Sequence, residues 1–268
     1  MNDLEVSALY TYPIKSCAGV SLTSAKIDAR GLLHDRRWML IDQNNKFISQ
    51  REVAILSRIL VKISDHALTV SFNDEHTIIP FLSEEAILSD TYEAVKIWGD
   101  TCSAIVYNDE INIWFSNLIG KPCRLVYMPD NSMRQVDLEY APAGQITAFS
   151  DGYPILILGQ ESMNYLNSKL ATLISVNRFR PNIVFTGGLP HIEDKFKKFK
   201  INNVLLEGVK PSRRCNVPNI NQETSIAEDE PTKTLTQYRL FENRILFGNN
   251  TLVHQQGVIS LGDKIQLE

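Results

Sequence analysis

The sequence carries no surplus of positive charge. Its 27 lysines and arginines are outnumbered by 31 aspartates and glutamates, for a formal net charge of −4. A general nucleic-acid binder, which needs a basic face to displace counterions, is therefore not expected. No apolar run approaches the roughly 18–20 residues of a membrane span, so no membrane insertion is expected. The opening Met1-Asn2-Asp3-Leu4-Glu5 lacks the basic region of a secretory signal. The four cysteines, Cys17, Cys102, Cys123 and Cys215, include no Cys-x-x-Cys pair, which argues against a zinc ribbon or a ferredoxin-type cluster. Reduced thiols in a cytoplasmic protein are the simplest reading. There is no Walker loop and no Gly-x-Gly-x-x-Gly after a strand, so nucleotide-binding folds gain no support. Gly-x-Ser-x-Gly is absent too, which lowers the case for a serine hydrolase.

What is present is a β-rich pattern. At 268 residues and 44% hydrophobic content the chain can bury a full core. Residues 6–15 alternate as a strand ending near Pro13, and residues 20–29 read as a second strand. Hairpins are expected over 37–49 around Asn44-Asn45, over 67–81 around Asn73-Asp74, and over 95–107 around Gly99-Asp100. Ile111, Trp114, Phe115, Leu118 and Ile119 recur at helical spacing between a capping Asp109 and Gly120. Residues 123–128 return to strand, 129–143 read as a loop and domain seam, 155–158 as a strand, 160–170 as a second helix and 182–186 as a strand. A hairpin is expected over 199–210 around Asn202-Asn203, with Pro211 ending its second strand for want of an N–H. Residues 216–232 read as a polar loop and 237–267 as strand.

Cations gather beside the turns: Lys15, Arg36 and Arg37, Arg178 and Arg180, and Arg213 and Arg214 next to Cys215. Guanidinium forks suit oxyanions, but each alone is an ordinary surface charge, and only convergence in space would make a site. Cys215 is expected on a loop at a strand end, where its two arginine neighbours favour a thiolate, a ligand for a soft metal; the plainer reading is a small buried hydrophobe. Asp151, in a turn, is either turn chemistry or a proton donor. The histidines are not at ligand spacing.

Five stretches, in order, resemble one family. They are Tyr12-Pro13-Ile14-Lys15-Ser16-Cys17-Ala18-Gly19-Val20, Asp35-Arg36-Arg37-Trp38, Ser150-Asp151, Phe179-Arg180-Pro181-Asn182-Ile183-Val184, and Arg214-Cys215. Together they are similar to the MOSC proteins of the YcbX and mitochondrial amidoxime-reducing-component type, over nearly the whole chain. The usual Cys-x-Arg-Cys of that family reads Ser212-Arg213-Arg214-Cys215 here.

The resemblance implies an α+β, β-rich fold, with a MOSC N-terminal β-barrel-like domain over residues 1–125 and a β-barrel MOSC domain over 126–268. It implies a molybdenum cofactor, a molybdenum-bearing pyranopterin with a terminal phosphate. Cys215 would ligate the metal. Lys15, Ser16, Arg36, Ser150, Arg180, Asn182, Ser212, Arg213 and Arg214 would hold the cofactor, and Asp151 would act at the open face of the metal. The implied activity is a molybdenum oxidoreductase converting N-hydroxylated compounds such as amidoximes and hydroxylamines to amidines and amines. Without cluster spacing or a dinucleotide fingerprint, electrons are expected from a separate ferredoxin, flavodoxin or b-type cytochrome with its reductase. The rival reading is a non-catalytic carrier or sulfur-transfer module for the same cofactor.

Overall fold

A computed structural model describes residues 3–89 and 92–268. The protein is a β-rich α+β chain. Its main sheet curls into a barrel. In spatial order the strands are Glu5–Thr11, Ile183–Thr186, Ile155–Gly159, Arg244–Gln255, Val204–Arg213, Lys198–Ile201 and Ile265–Leu267. The last returns to the first through the Glu5–Lys264 bridge, with Ile265 N–H donating to Leu4 C=O at 2.9 Å. Closure leaves the barrel no free edge. Alternation fills it: Ile155 and Ile157, Phe199 and Ile201, and Val204 and Leu206 point into one cluster, joined by Val6 and Leu9 across an irregularity in the first strand.

The first strand thus belongs to a barrel built mostly from the C-terminal half. The stretch expected as one strand over 20–29 is two: Val20–Leu22 pairs with Glu5–Thr11, and Ser24–Asp28 pairs with Gly257–Ser260. A seam near residue 125 in the sequence is therefore crossed in space by residues 5–32.

The remaining N-terminal strands form two small antiparallel sheets. One runs Trp38–Ile41, Arg124–Tyr127, Asp100–Val106, Tyr92–Ile97, and the other is the meander Leu60–Ile63, Ala67–Phe72, Glu75–Pro80. Asn73 (φ 53°) turns the meander hairpin, and Trp98 (φ 54°) turns the next. Of the expected 37–49 hairpin only the first strand is regular; residues 46–49 make isolated contacts, such as Ile48 N–H to Leu40 C=O. The Asp109–Ile119 helix buries Ile111 and Phe115 against these sheets. Its cap is Asn108, one residue before Asp109, whose side chain accepts from Ile111 N–H, and Gly120 (φ 69°) closes it.

Three further expectations change. The 129–143 loop contains a short strand, Arg134–Gln135, paired with Ile146–Thr147. The helices Glu84–Ser89 and Thr232–Tyr238 were not read from the sequence. Pro211 does not end its strand. The ladder runs on to Arg213, with Pro211 opposite Asn249 and register shifts on both sides of it. A bulged ladder has no need of the missing N–H.

Glu193 lies fully inside the barrel wall. Ser162 Oγ donates to its Oε2 at 2.9 Å, and its Oε1 has no partner among the described residues. Burial pushes its carboxyl above the usual value of 4.5. The folded chain therefore holds a proton that the unfolded chain has released, so this contribution to stability is full below 4.5 and is lost as pH rises through the folded value. Glu193→Gln is expected to flatten that part of a stability–pH profile measured by chemical denaturation. An unchanged slope would contradict the assignment.

Candidate functional site

All eleven residues singled out from the sequence line one cavity of about 280 Å³. The loop after the first strand brings Lys15 and Ser16. Arg36 comes from the next turn. Ser150 and Asp151 precede Ile155–Gly159, and Arg180 and Asn182 precede Ile183–Thr186. Ser212 and Arg213 end Val204–Arg213, with Arg214 and Cys215 just beyond. Three of these residues, Ser16 (φ 73°), Arg36 (φ 49°) and Arg180 (φ 55°), sit in the left-handed region. For residues other than glycine that conformation costs about 1–2 kcal/mol each, so the surrounding structure holds it in place.

Among the described residues, seven cations line the cavity (Lys15, Arg36, Arg51, Arg180, Lys210, Arg213, Arg214) against one carboxylate, Asp151. The whole chain is acidic, so the cavity concentrates positive charge against the background.

The arginines differ in what they already hold. Arg36 donates to Asp35 Oδ2 at 2.6 Å, to Asn182 Oδ1 at 3.2 Å and to Arg180 C=O at 3.2 Å. Arg214 donates to Phe179 C=O at 2.7 Å and to Ser212 Oγ at 3.2 Å, while its buried Nε has no partner. Arg180 is the exception: both terminal nitrogens are buried and neither has a partner among the described residues. The guanidiniums of Arg36 and Arg180 lie on the Tyr12 ring, at 4.2 and 4.3 Å from its centroid. Burial first, and then the Arg36 charge, lower Arg180 to about 10. Elsewhere the buried arginines are matched: Arg37 to Asp130, Arg134 to Asp100, Arg178 to Glu228 and Arg239 to Asp194. Arg37 and Arg178, flagged beside their turns, are thereby structural.

Asn182 has no capacity to spare. Its Nδ2 donates to Tyr10 C=O and Asp35 Oδ1, and its Oδ1 accepts from Leu156 N–H and Arg36. It positions Arg36 and the strand end. Ser150 Oγ is taken up by Thr147 Oγ1 at 2.5 Å. Ser16 C=O accepts from Gln50 Nε2 at 2.6 Å.

Lys15 Nζ, deeply buried, donates to Asp151 Oδ1 at 2.6 Å and to Phe149 C=O at 2.9 Å. Burial lowers the Lys15 ammonium, against the pull of Asp151. The protein around Asp151 would raise its carboxyl, but the charge and hydrogen bond of Lys15, with Arg51 and Arg36, outweigh this and hold it well below the usual range. Trp98 Nε1 adds a contact to the same oxygen at 3.3 Å. Asp151 accepts in this geometry, with Lys15 as the donor.

Gln50, Arg51 and Trp98 were not read from the sequence. Gln50 and Arg51 line the cavity, and Trp98 reaches Asp151, from the N-terminal half of the chain.

The comparisons bear on this cavity directly. Residues 3–122 match the MOSC N-terminal beta barrel domain and residues 145–266 match the MOSC domain. Mitochondrial amidoxime-reducing component 1 of Mus musculus is 30% identical, over 98% of this chain and 82% of that protein. Its counterpart from Homo sapiens is 29% identical over the same shares. A molybdenum cofactor sulfurase of Oryza sativa subsp. japonica is 30% identical over 92% of this chain, which spans only 32% of that protein. The chain belongs to the MOSC-domain family, in its two-part form with the N-terminal beta barrel, and is related to both of these groups. Among the described residues, no helix is long and apolar enough to cross a membrane.

Proposed function

We propose that the chain is a molybdenum-cofactor oxidoreductase that reduces N-hydroxylated compounds, amidoximes and hydroxylamines, to amidines and amines. The observation that carries this reading is the unpartnered, buried Arg180 guanidinium in a cavity of seven cations beside a half-buried cysteine. An anion is what such a site lacks, and a pterin with a terminal phosphate supplies one. Arg180, Arg214 and Arg213 would hold the anionic cofactor, with Arg36 and Lys15 on their flank and Cys215 as the thiolate ligand. When bound, that group supplies the two-electron chemistry.

The overall change consumes two electrons and two protons: the N–O bond breaks, and the oxygen leaves as water. The chain's part is to bind, orient and move protons. Lys15 carries a proton against Asp151, and Asp151, ionised, can take a hydrogen bond from the substrate and relay that proton to the leaving oxygen. The similarity to a molybdenum cofactor sulfurase supports a second reading, a carrier or sulfur-transfer module. A carrier releases the cofactor and reduces nothing. The test of the reductase reading is conversion of benzamidoxime to benzamidine by the cofactor-loaded protein with a reduced viologen; a loaded protein that turns over nothing contradicts it.

The same reading places the electron source outside the chain, in a ferredoxin, flavodoxin or b-type cytochrome with its reductase. NADPH alone is expected to give no turnover, and NADPH with a ferredoxin and its reductase to restore it. Sustained benzamidoxime reduction by NADPH and this chain alone would overturn that expectation.

A further inference from the structure

Arg51 stands exposed at the mouth of the cavity, and no carboxylate pairs with it among the described residues. Its one polar contact is a long one, Nε to Ser49 Oγ at 3.5 Å. The guanidinium is nevertheless held in place, 4.3 Å over the centroid of the Trp98 ring. Trp98 is itself fixed. It sits at a hairpin tip in the left-handed region, its ring packs on Phe47 at 5.0 Å, and its Nε1 donates to Asp151 Oδ1 at 3.3 Å. An exposed arginine laid on an anchored aromatic ring loses little freedom when it binds a ligand.

The opposite side of the mouth is different. Lys210 lies on the Tyr140 ring at 3.2 Å, and Asp137 and Glu139 act on its charge. Arg51 makes no ion pair among the described residues, and Asp151, on which its charge acts, is already engaged by Lys15.

Two facts then combine. Of the seven cations that line the cavity, Lys15 is paired with Asp151, Arg36 with Asp35, and Lys210 feels Asp137 and Glu139, whereas Arg51 has no ion-pair partner among the described residues. In addition, Asp151 Oδ1 takes both Lys15 and Trp98, while Oδ2 has no partner among the described residues. Trp98 links the two groups: its Nε1 lies 3.3 Å from Asp151 Oδ1 and its ring carries the Arg51 guanidinium 4.3 Å from the centroid.

We propose that Arg51 is a specificity-determining residue, selecting planar aromatic N-hydroxylated substrates that carry a carboxylate about one ring away from the N–O group. The N–H or O–H end would donate to Asp151 Oδ2, and the carboxylate would take the Arg51 fork. This rests on the reductase reading above.

The experiment compares 4-carboxybenzamidoxime with benzamidoxime, using the cofactor-loaded protein and a reduced viologen at low ionic strength. The ratio of their kcat/KM values is expected to be about tenfold or more in favour of the carboxylate, as a charge-assisted contact gives. Arg51→Gln should bring the ratio close to one, and Arg51→Lys should restore it in part. A ratio near one in the wild type, or one that survives Arg51→Gln, overturns the proposal. A separate binding arm reads the intrinsic fluorescence of Trp98, identified by its loss in Trp98→Phe, on titration with 4-amidinobenzoate. Its Kd should rise about tenfold in Arg51→Gln, with benzamidine showing no such change. If neither amidoxime is turned over, the reductase reading fails and this titration alone decides the anion site. Equal Kd values in the two proteins overturn it.

Discussion

Cys215→Ala is expected to abolish reduction of N-hydroxylated compounds, by at least a thousandfold, and to change the optical spectrum of the bound metal without unfolding the chain. The four thiols divide cleanly. Cys17, Cys102 and Cys123 are buried in apolar clusters, and burial raises all three, Cys17 to about 12. Such thiols act as small hydrophobes. Cys215 alone is half-buried, belongs to no core cluster, and opens on the cavity. Its backbone is set by the preceding residue, since Arg214 N–H donates to Ile245 C=O at 2.8 Å and carries the chain off the end of the ladder. Removing a small side chain from such a loop removes a soft ligand and little packing. Wild-type turnover by Cys215→Ala, with normal metal content, would exclude it as the ligand.

Arg180→Ala is expected to act in opposite directions on the empty and the loaded protein. In the empty protein it removes a buried, unpartnered guanidinium that the Arg36 charge opposes. The variant should therefore unfold at a higher temperature than the empty wild type. In the loaded protein it removes a buried charged contact, typically about 2–5 kcal/mol, or about thirtyfold or more in cofactor retention. A purely structural arginine, such as Arg178 on Glu228, should destabilise both forms when truncated. Arg180→Lys should recover little retention, because an ammonium has no fork to match a phosphate or pterin edge. Thermal melts of both forms, with molybdenum retention after gel filtration, read the two effects. Equal retention by wild type and Arg180→Ala would remove Arg180 from the site.

What the sequence made legible was local. The turn at Asn73 and the helix ending at Gly120 follow from residue types that tolerate left-handed backbone, and the pattern around them is short-range. The cation-bearing turns were visible from the glycine or proline beside each, Gly19, Gly31 and Pro181. What lay beyond reach was pairing across the chain. Nothing near Pro211 announces that its strand continues through two register shifts against Arg244–Gln255. Nothing near Asp151 announces Lys15, 136 positions away, whose ammonium keeps it ionised. The convergence of Arg36, Arg180 and Arg214 on one cavity needs barrel closure, which periodicity does not encode. Asn182 lines the cavity, but its four filled hydrogen bonds, to partners far along the chain, make it a positioning residue.

The central claim is that this cavity holds an anionic molybdenum cofactor through Arg180 and Cys215. The most direct measurement is the molybdenum and pterin-phosphate content of the protein purified from a host that makes the cofactor, compared with Arg180→Ala and Cys215→Ala prepared in parallel. Wild-type protein is expected to carry near-stoichiometric molybdenum and phosphate, with both falling together in Arg180→Ala and the metal lost preferentially in Cys215→Ala. A wild-type protein that binds neither, or three proteins with equal content, would contradict the account.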